Sequence, residues 1–138
     1  MTIQEMITLC DDTRPNVFTE KQKVLWLNEV EHKAVDEVFN RAADSFVEWT
    51  PYEWDTDAET ELLIPDQYND VYLTYLYSKM DFTLAEIQRY NGDVALFQGA
   101  WQEFAGWYRR NHMPLPIYRP LPPKPPVPPE EEESTDGD

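Results

Sequence analysis

The chain has 138 residues, with 27 acidic against 11 basic side chains, a formal net charge of −16 and a pI near 4.3. Binding to nucleic acid or to anionic lipid requires clustered positive charge, so this balance argues against both. The same charge balance is compatible with an acidic protein that mimics DNA.

Cysteine content and hydropathy narrow the class further. Cys10 is the only cysteine, so the sequence allows neither an intramolecular disulfide nor a cysteine cluster for zinc. The segment MTIQEMITLCDD lacks the basic and long apolar parts of a signal peptide. No apolar stretch approaches the roughly 18 residues that cross a bilayer. We therefore expect a soluble protein with a reduced thiol and no membrane partner.

Two helices are predicted before residue 44. Thr2 with Glu5, and Thr19 with Gln22, have the spacing of capping boxes, so a helix is expected to begin after each threonine. Apolar residues at helical spacing extend the second helix over residues 20–43. The predicted apolar faces are Ile3, Met6, Ile7 and Cys10 in the first helix, and Val24, Leu27, Val30, Ala34, Val35, Val38 and Ala42 in the second.

Residues 44–65 form an acidic segment of different character. They contain seven acidic residues and no basic one, and Pro51 interrupts any helix. This pattern predicts an irregular acidic loop or a β-ribbon. The aromatic residues must be covered by something, so we expect Trp49, Tyr52 and Trp54 to make the contacts of this loop.

The next segment predicts two long helices packed as a hairpin. Asp66 directly after Pro65 starts the third helix, whose apolar period runs to Tyr90. Asn91-Gly92 predicts the turn between the helices, and Asp93 then caps a fourth helix that ends near His112. The predicted apolar rows are Tyr68, Val71, Tyr72, Tyr75, Leu76, Met80, Leu84, Ile87 and Tyr90, and then Val94, Phe97, Trp101, Phe104, Ala105 and Tyr108.

The C-terminal segment, residues 114–138, is rich in proline and ends in acidic residues. Proline excludes helix and central strand, so the sequence predicts a polyproline II arm that orders only against a partner. The stretch RPLPPKP, residues 119–125, also matches the Arg-x-x-Pro-x-x-Pro pattern of SH3 ligands. We interpret it as a semi-rigid arm for a groove on a partner, with an SH3 ligand as the alternative.

Two groups of residues invite a metal-site interpretation. Glu29, His32 and Asp36 share one helical face with the spacing used in di-iron bundles, but the other histidine lacks a carboxylate three residues before it. Residues 55–61 alternate oxygen ligands as a calcium loop does, but threonine stands where the EF-hand requires glycine. We interpret the first group as a solvated helix face and the second as a loop or strand with its acids in water. No metal or other cofactor is expected.

The sequence gives little support to catalysis. Ser45, Ser78 and Cys10 have no neighbouring histidine, and His32 and His112 are the only two histidines. With four glycines, the chain has no glycine-rich phosphate loop. A catalytic pair of carboxylates remains an alternative in so acidic a chain, but the sequence singles out no particular pair. We therefore expect that the protein is not an enzyme and has no catalytic residues.

The densest aromatic stretch runs from residue 89 to residue 113. Stacking of nucleic-acid bases is disfavoured because only Arg109 and Arg110 lie close together. The stretch instead predicts a helical core with spare aromatic rings and a flat strip of small residues, which suits close approach by another backbone within or between subunits. The predicted subunit-interface residues are Tyr68, Tyr90, Ala95, Gly99, Gly106 and Trp107.

Three stretches of the sequence carry a resemblance to a known family. TELLIPDQYNDVYLTYLYSKMDF, AEIQRYN and ALFQGAWQEFAGWYRRNHMP resemble small proteins of tailed phages and prophages that act as head–tail connectors, or adaptors. The resemblance covers about residues 52–114 and ends in Arg-x-His-Met-Pro, residues 110–114. A weaker likeness lies in FTEKQKVLWLNEVEHKAVDEVF.

The resemblance implies a mainly helical subunit that assembles as a ring, commonly twelvefold, beneath the portal protein of the capsid. Double-stranded DNA would pass through the ring without specific binding, and the next neck or tail-completion protein would dock beneath it. Such a protein is made in the bacterial cytoplasm and resides at the head–tail junction of the virion.

The expectation from the sequence is therefore an all-α, four-helix subunit with a long hairpin, an irregular acidic loop and an extended arm. Residues 1–113 would form the helical connector domain and residues 114–138 the arm. The arm residues expected to dock on the portal or on an adjacent subunit are Ile117, Tyr118, Arg119 and Leu121. The alternative is an acidic DNA mimic or host-interaction protein.

Overall fold

The structure is a computed structural model that describes residues 1–114, and these residues form the predicted all-α fold. Within them no strand is present, and only two isolated β-bridges occur. The predicted helix count omitted one single-turn helix in the acidic loop. The helices are α1 Ile3–Thr13, α2 Glu20–Glu37, α3 Trp54–Asp57, α4 Asp70–Thr83 and α5 Ile87–Asn111, with 3₁₀ turns at Phe39–Arg41 and Asp66–Tyr68.

The starts of α1 and α2 are confirmed at both predicted caps. The Thr2 hydroxyl accepts the Glu5 N–H at 3.1 Å, and the Glu5 carboxylate accepts the Thr2 N–H at 2.8 Å. The Thr19 hydroxyl accepts the Gln22 N–H at 3.1 Å. Each contact satisfies a donor that the first turn of a helix leaves without a partner.

Helix α2 ends at Glu37 rather than at residue 43. Past this point the side chains of later residues bind the helix-end carbonyls, with Arg41 Nε donating to the Asp36 carbonyl at 3.0 Å and Ser45 Oγ to the Phe39 carbonyl at 2.7 Å. The chain continues as a 3₁₀ turn that still buries its apolar residues. All apolar residues predicted to face the core from α1, α2 and this turn are buried: Ile3, Met6, Ile7, Cys10, Val24, Leu27, Val30, Ala34, Val35, Val38 and Ala42.

The connection between α4 and α5 lies at residues 84–86, and the predicted turn at residues 91–92 is wrong. The Glu86 N–H donates to the Asp81 carbonyl at 2.9 Å, which closes the end of α4 as a Schellman-type cap. Ala85 has the left-handed conformation that such a cap requires, with φ at 60°. A cap without glycine leaves no conspicuous signal in the sequence.

Asn91 and Gly92 instead lie inside α5, whose packing holds this first part of the helix in place. The Tyr90 ring contacts the Phe82 ring with 5.7 Å between centroids. Asp93 is buried and pairs with Arg14 at 3.0 Å, so it is an ion-pair partner rather than the predicted helix cap. These contacts offset the cost of about 1 kcal/mol for a glycine inside a helix.

Two asparagine side chains hold the acidic loop, one against α2 and the other against the 3₁₀ turn that follows it. The Asn28 amide accepts the Tyr52 N–H at 2.9 Å and donates to the Tyr52 carbonyl at 3.1 Å. Asn40 binds the two backbone groups of Val47 in the same way, at 2.7 and 3.1 Å. Side chains therefore satisfy the loop backbone, and a β-ribbon does not form in this segment.

The core lies between α1, α2, α4 and the C-terminal part of α5. Tyr72, Leu76 and Met80 of α4 are fully buried in it, as are Ile64 of the loop and Phe104 of α5. Over residues 1–114, the helices are each too short or too polar to cross a bilayer.

Candidate functional site

A groove of about 590 Å³ lies between α4 and α5, and five of the eleven residues that line it are aromatic. The two helices run antiparallel, because Tyr75 contacts Phe97 at 5.1 Å between ring centroids while Phe82 contacts Tyr90 at 5.7 Å. Trp101 extends the aromatic wall, 6.2 Å from Phe97. We call this feature the aromatic groove.

Two lysines border the aromatic groove in a chain that is otherwise strongly acidic. Lys33 of α2 lies 4.7 Å from the centre of the Trp101 ring, and Lys79 lies 5.8 Å from that of Tyr75. Each lysine also contacts a carboxylate, Lys33 with Glu37 at 3.1 Å and Lys79 with Glu29 at 3.3 Å. The border of the groove is therefore polar but close to electrically neutral.

The outer face of α5 carries the predicted strip of small residues. Ala95 and Gly99 are exposed, and no atom lies within 4 Å of the position that a Gly99 Cβ would take. At Gly106 the nearest atom to such a Cβ is a guanidinium nitrogen of Arg110, at 3.2 Å. Within the subunit, no other backbone therefore approaches these two glycines closely. Leu96, which the sequence analysis passed over, is 62% exposed beside the strip.

The predicted interface aromatics do not form one patch. Tyr68 and Trp107 contact each other at 5.2 Å between centroids, near the C-terminal part of α5. Tyr90 lies at the other end of the antiparallel pair. Near Tyr90, Leu84 and Ile87 are exposed because α4 ends at Thr83, although the sequence placed both in an apolar row.

Exposed apolar residues therefore surround the α4–α5 connection. Phe82, Leu84 and Ile87 are 67%, 53% and 69% exposed. We call this group the apolar tip. The Asn91-Gly92 prediction concealed it, because a single long helix would have turned Leu84 and Ile87 toward the core.

Trp49, Tyr52 and Trp54 of the acidic loop are half-buried and pack against the core. The Tyr52 ring contacts the Trp49 ring edge-on at 5.7 Å, and its hydroxyl donates to Glu31 at 2.8 Å. The predicted contacts of this loop are thus made at least in part within the subunit.

Glu31 is a buried polar centre that the sequence analysis did not single out. Its carboxylate is fully buried and also accepts the Leu63 N–H at 3.0 Å and the Tyr72 hydroxyl at 2.5 Å. Burial raises the pKa of Glu31, and the donors partly oppose this effect. The sequence did indicate that Glu31 is buried, because Glu31 stands four residues from both Leu27 and Val35 in the apolar row of α2.

A second buried polar centre links three helices through Arg14. Its guanidinium contacts Asp81 at 3.2 Å and Asp93 at 3.0 Å, and it lies 3.9 Å from the centre of the Tyr77 ring. Burial, followed by the adjacent Asp93 carboxyl, raises the pKa of Asp81 to about 6, against the opposing effect of Arg14. This arrangement fixes α1 against α4 and α5.

The closest approach to a catalytic arrangement surrounds His112. Its ring stacks on Tyr108 with 3.8 Å between centroids, and its Nδ1 lies 3.1 Å from an Asp44 oxygen. Ser45 lies nearby, but its hydroxyl donates to a backbone carbonyl and contacts the Tyr108 hydroxyl at 2.9 Å. These contacts anchor the end of α5, where the Met113 carbonyl also accepts the Ala43 N–H at 2.8 Å.

In each of the two groups considered as metal sites, at least one carboxylate is engaged with another partner. Glu29 accepts hydrogen bonds from Tyr75 and Lys79. Asp57 accepts the Glu53 N–H at 2.7 Å at the start of α3. In the described part of the chain, no three or more histidine, cysteine or acidic side chains are grouped so as to hold a metal ion.

The predicted arm residues Ile117, Tyr118, Arg119 and Leu121 lie outside the described residues. Comparison of the chain with family models, curated proteins and solved structures gives no match.

Proposed function

We propose that this chain is a ring-forming connector of the phage head–tail junction, with no catalytic role. It joins the portal protein to the next neck or tail-completion protein, in a ring that is commonly twelvefold in the family it resembles. The hairpin of α4 and α5 is the main assembling element, and residues 114–138 form a partner-binding arm. The observation that carries the proposal is the exposed apolar surface at the α4–α5 connection and on the outer face of α5.

A ring subunit needs apolar surface beyond its own core. The apolar tip supplies three large side chains at one place on the subunit. Leu96, beside the exposed Ala95 and Gly99, supplies a second surface that a neighbouring helix can approach closely. Two different surfaces on one subunit suit the head-to-tail contacts of a closed ring.

The acidic character of the subunit supports the same proposal. A ring that lets DNA pass should not retain it, and a net charge of −16 repels the phosphate backbone. Carboxylates also compensate the charge of two lysines that border the aromatic groove, Lys33 and Lys79.

Mass measurement of the protein alone and mixed with its portal, together with proteomics of purified virions, tests the proposal. We expect a ring-sized complex with the portal and the chain as a stoichiometric virion component. Leu96→Glu should abolish the complex while leaving the far-UV circular dichroism unchanged. The matched control is Leu25→Glu, on the exposed face of α2, which should assemble normally. Absence of the chain from the virion would overturn the proposal.

An acidic DNA mimic or host-interaction protein is the second candidate, favoured by the exposed carboxylates of the acidic loop. Glu53, Asp55 and Glu59 are all exposed there. Asp55 is already paired with Lys21 at 3.6 Å, which reduces the free negative array. A mimic would compete with DNA for a DNA-binding protein and would be missing from the particle.

A further inference from the structure

We propose that the aromatic groove binds the proline-rich arm of the same molecule, with residues 120–126 lying along Tyr75, Phe97 and Trp101. This inference does not rest on the proposed function, because it concerns the isolated chain without a portal. It assigns an occupant to this groove between α4 and α5.

The chemistry of the groove fits a polyproline II segment. Grooves that bind such segments are lined by aromatic rings, onto which the proline rings pack, and the ligand loses little entropy because it is already extended. Here Tyr75, Phe97 and Trp101 form such a surface on two antiparallel helices. The sequence PLPPKPP, residues 120–126, is the matching ligand within the same chain.

The arm begins within reach of the groove. Pro114 bridges to Ala42, and the Met113 carbonyl accepts the Ala43 N–H, so the chain leaves the body beside the end of α5. From His112 back to Trp101 the helix covers about 16 Å at a rise of 1.5 Å per residue. Residues 115–120 span about 19 Å as polyproline II at 3.1 Å per residue. The proline run therefore starts where the aromatic wall starts.

The length of the proline run also matches the groove. From Trp101 to Tyr90, α5 covers about 16 Å. Five or six residues of polyproline II, at about 3.1 Å each, cover the same distance. Residues 120–126 thus cover the wall, with one or two residues to spare, when the arm runs antiparallel to α5.

Charge is compatible with this direction of the arm. The four glutamates at residues 130–133 follow the proline run and come to lie past Tyr90, at the end of the groove where Arg89 is exposed. Arg89 is 3.9 Å from Asp81, which Arg14 also contacts, so much of its charge is available to a second acidic partner.

A spin label on the full-length chain tests the proposal. Pro123→Cys introduces the attachment point, and Cys10 does not compete because it is fully buried and burial raises the pKa of its thiol to about 11. In NMR spectra we expect the amide signals of Gln98 and Trp101 to lose more than half of their intensity while the nitroxide is paramagnetic, compared with the same sample after the nitroxide has been reduced. The signal of Thr8, on α1 outside the groove, should be retained.

Two substituted variants and one mixed sample decide between the possible outcomes. Trp101→Ala should restore most of the lost intensity, whereas Leu96→Ala, on the outer face of the same helix, should not. Isotope-labelled chains without a spin label, mixed with spin-labelled chains without the isotope, should keep full intensity. Equal losses in that mixture would make a second copy the occupant and overturn the proposal, as would undiminished signals in every sample.

Discussion

Replacing Glu31 by glutamine is expected to destabilise the protein, because its carboxylate joins the acidic loop to α2 and α4. It is fully buried and accepts three hydrogen bonds, from the Tyr52 hydroxyl at 2.8 Å, the Leu63 N–H at 3.0 Å and the Tyr72 hydroxyl at 2.5 Å. Two of these donors share one oxygen, Oε2. The glutamine carbonyl can take the place of that oxygen, and its NH₂ group then faces the Tyr72 hydroxyl.

The magnitude follows from the contact that glutamine cannot reproduce. The Tyr72 hydroxyl loses a charged acceptor, at a cost of about 1.5–3 kcal/mol, and burial of an uncharged amide in place of a carboxylate offsets a part of this. We expect Glu31→Gln to lower the free energy of unfolding by about 1–2 kcal/mol. Glu31→Ala leaves all three donors without a partner and should cost about 3–5 kcal/mol.

Urea unfolding at pH 7, followed by tryptophan fluorescence and far-UV circular dichroism, measures both changes. Glu48→Gln is the matched control, because Glu48 is an exposed acid of the same loop, and a change under about 0.5 kcal/mol is expected. A double-mutant cycle of Glu31→Gln with Tyr72→Phe, which removes the hydroxyl whose acceptor is lost, should give a coupling energy of at least about 0.5 kcal/mol. If Glu31→Gln were as stable as the control, the buried hydrogen-bond centre would not stabilise the fold.

Three other predictions follow from single contacts. Ala85→Gly should raise the free energy of unfolding by about 0.5–1 kcal/mol, because glycine adopts φ of 60° without strain. The control Ala95→Gly, inside α5, should lower the free energy of unfolding by about 1 kcal/mol. If thermal unfolding showed that both substitutions stabilise, or that both destabilise, the proposed cap at Ala85 would be contradicted. Asp81 has a raised folded-state pKa of about 6, so its contribution to stability is present below pH 4 and is lost as pH rises to 6. Asp81→Asn should therefore reduce the fall in unfolding free energy between pH 4 and 6 by about 2 kcal/mol, and an unchanged pH profile would refute that origin. Asn28→Ala should cost about 1–3 kcal/mol and speed hydrogen exchange at the Tyr52 amide, whereas unchanged exchange would show that the loop is held elsewhere.

The beginnings of α1 and α2 could be read from the sequence because their signals are local. Thr2 with Glu5, and Thr19 with Gln22, satisfy backbone donors within three residues of the cap, so no distant partner is needed. The end of α4 could not be read, because Ala85 adopts a conformation that its residue type does not announce. That one error hid the apolar tip on which the proposed function depends.

The buried polar centres show the same division. The acidity, the all-α class and the buried faces of α1 and α2 follow from the order of residues, since apolar periodicity fixes which side of a helix leaves water. The partners of Glu31 and Asp93 do not, because Tyr72 lies 41 residues from Glu31 and Arg14 lies 79 residues from Asp93. Only packing of the helices decides whether such a side chain faces water, caps a helix or binds a distant donor. The tertiary structure likewise decided that α4 and α5 enclose an aromatic groove while the outer face of α5 stays open.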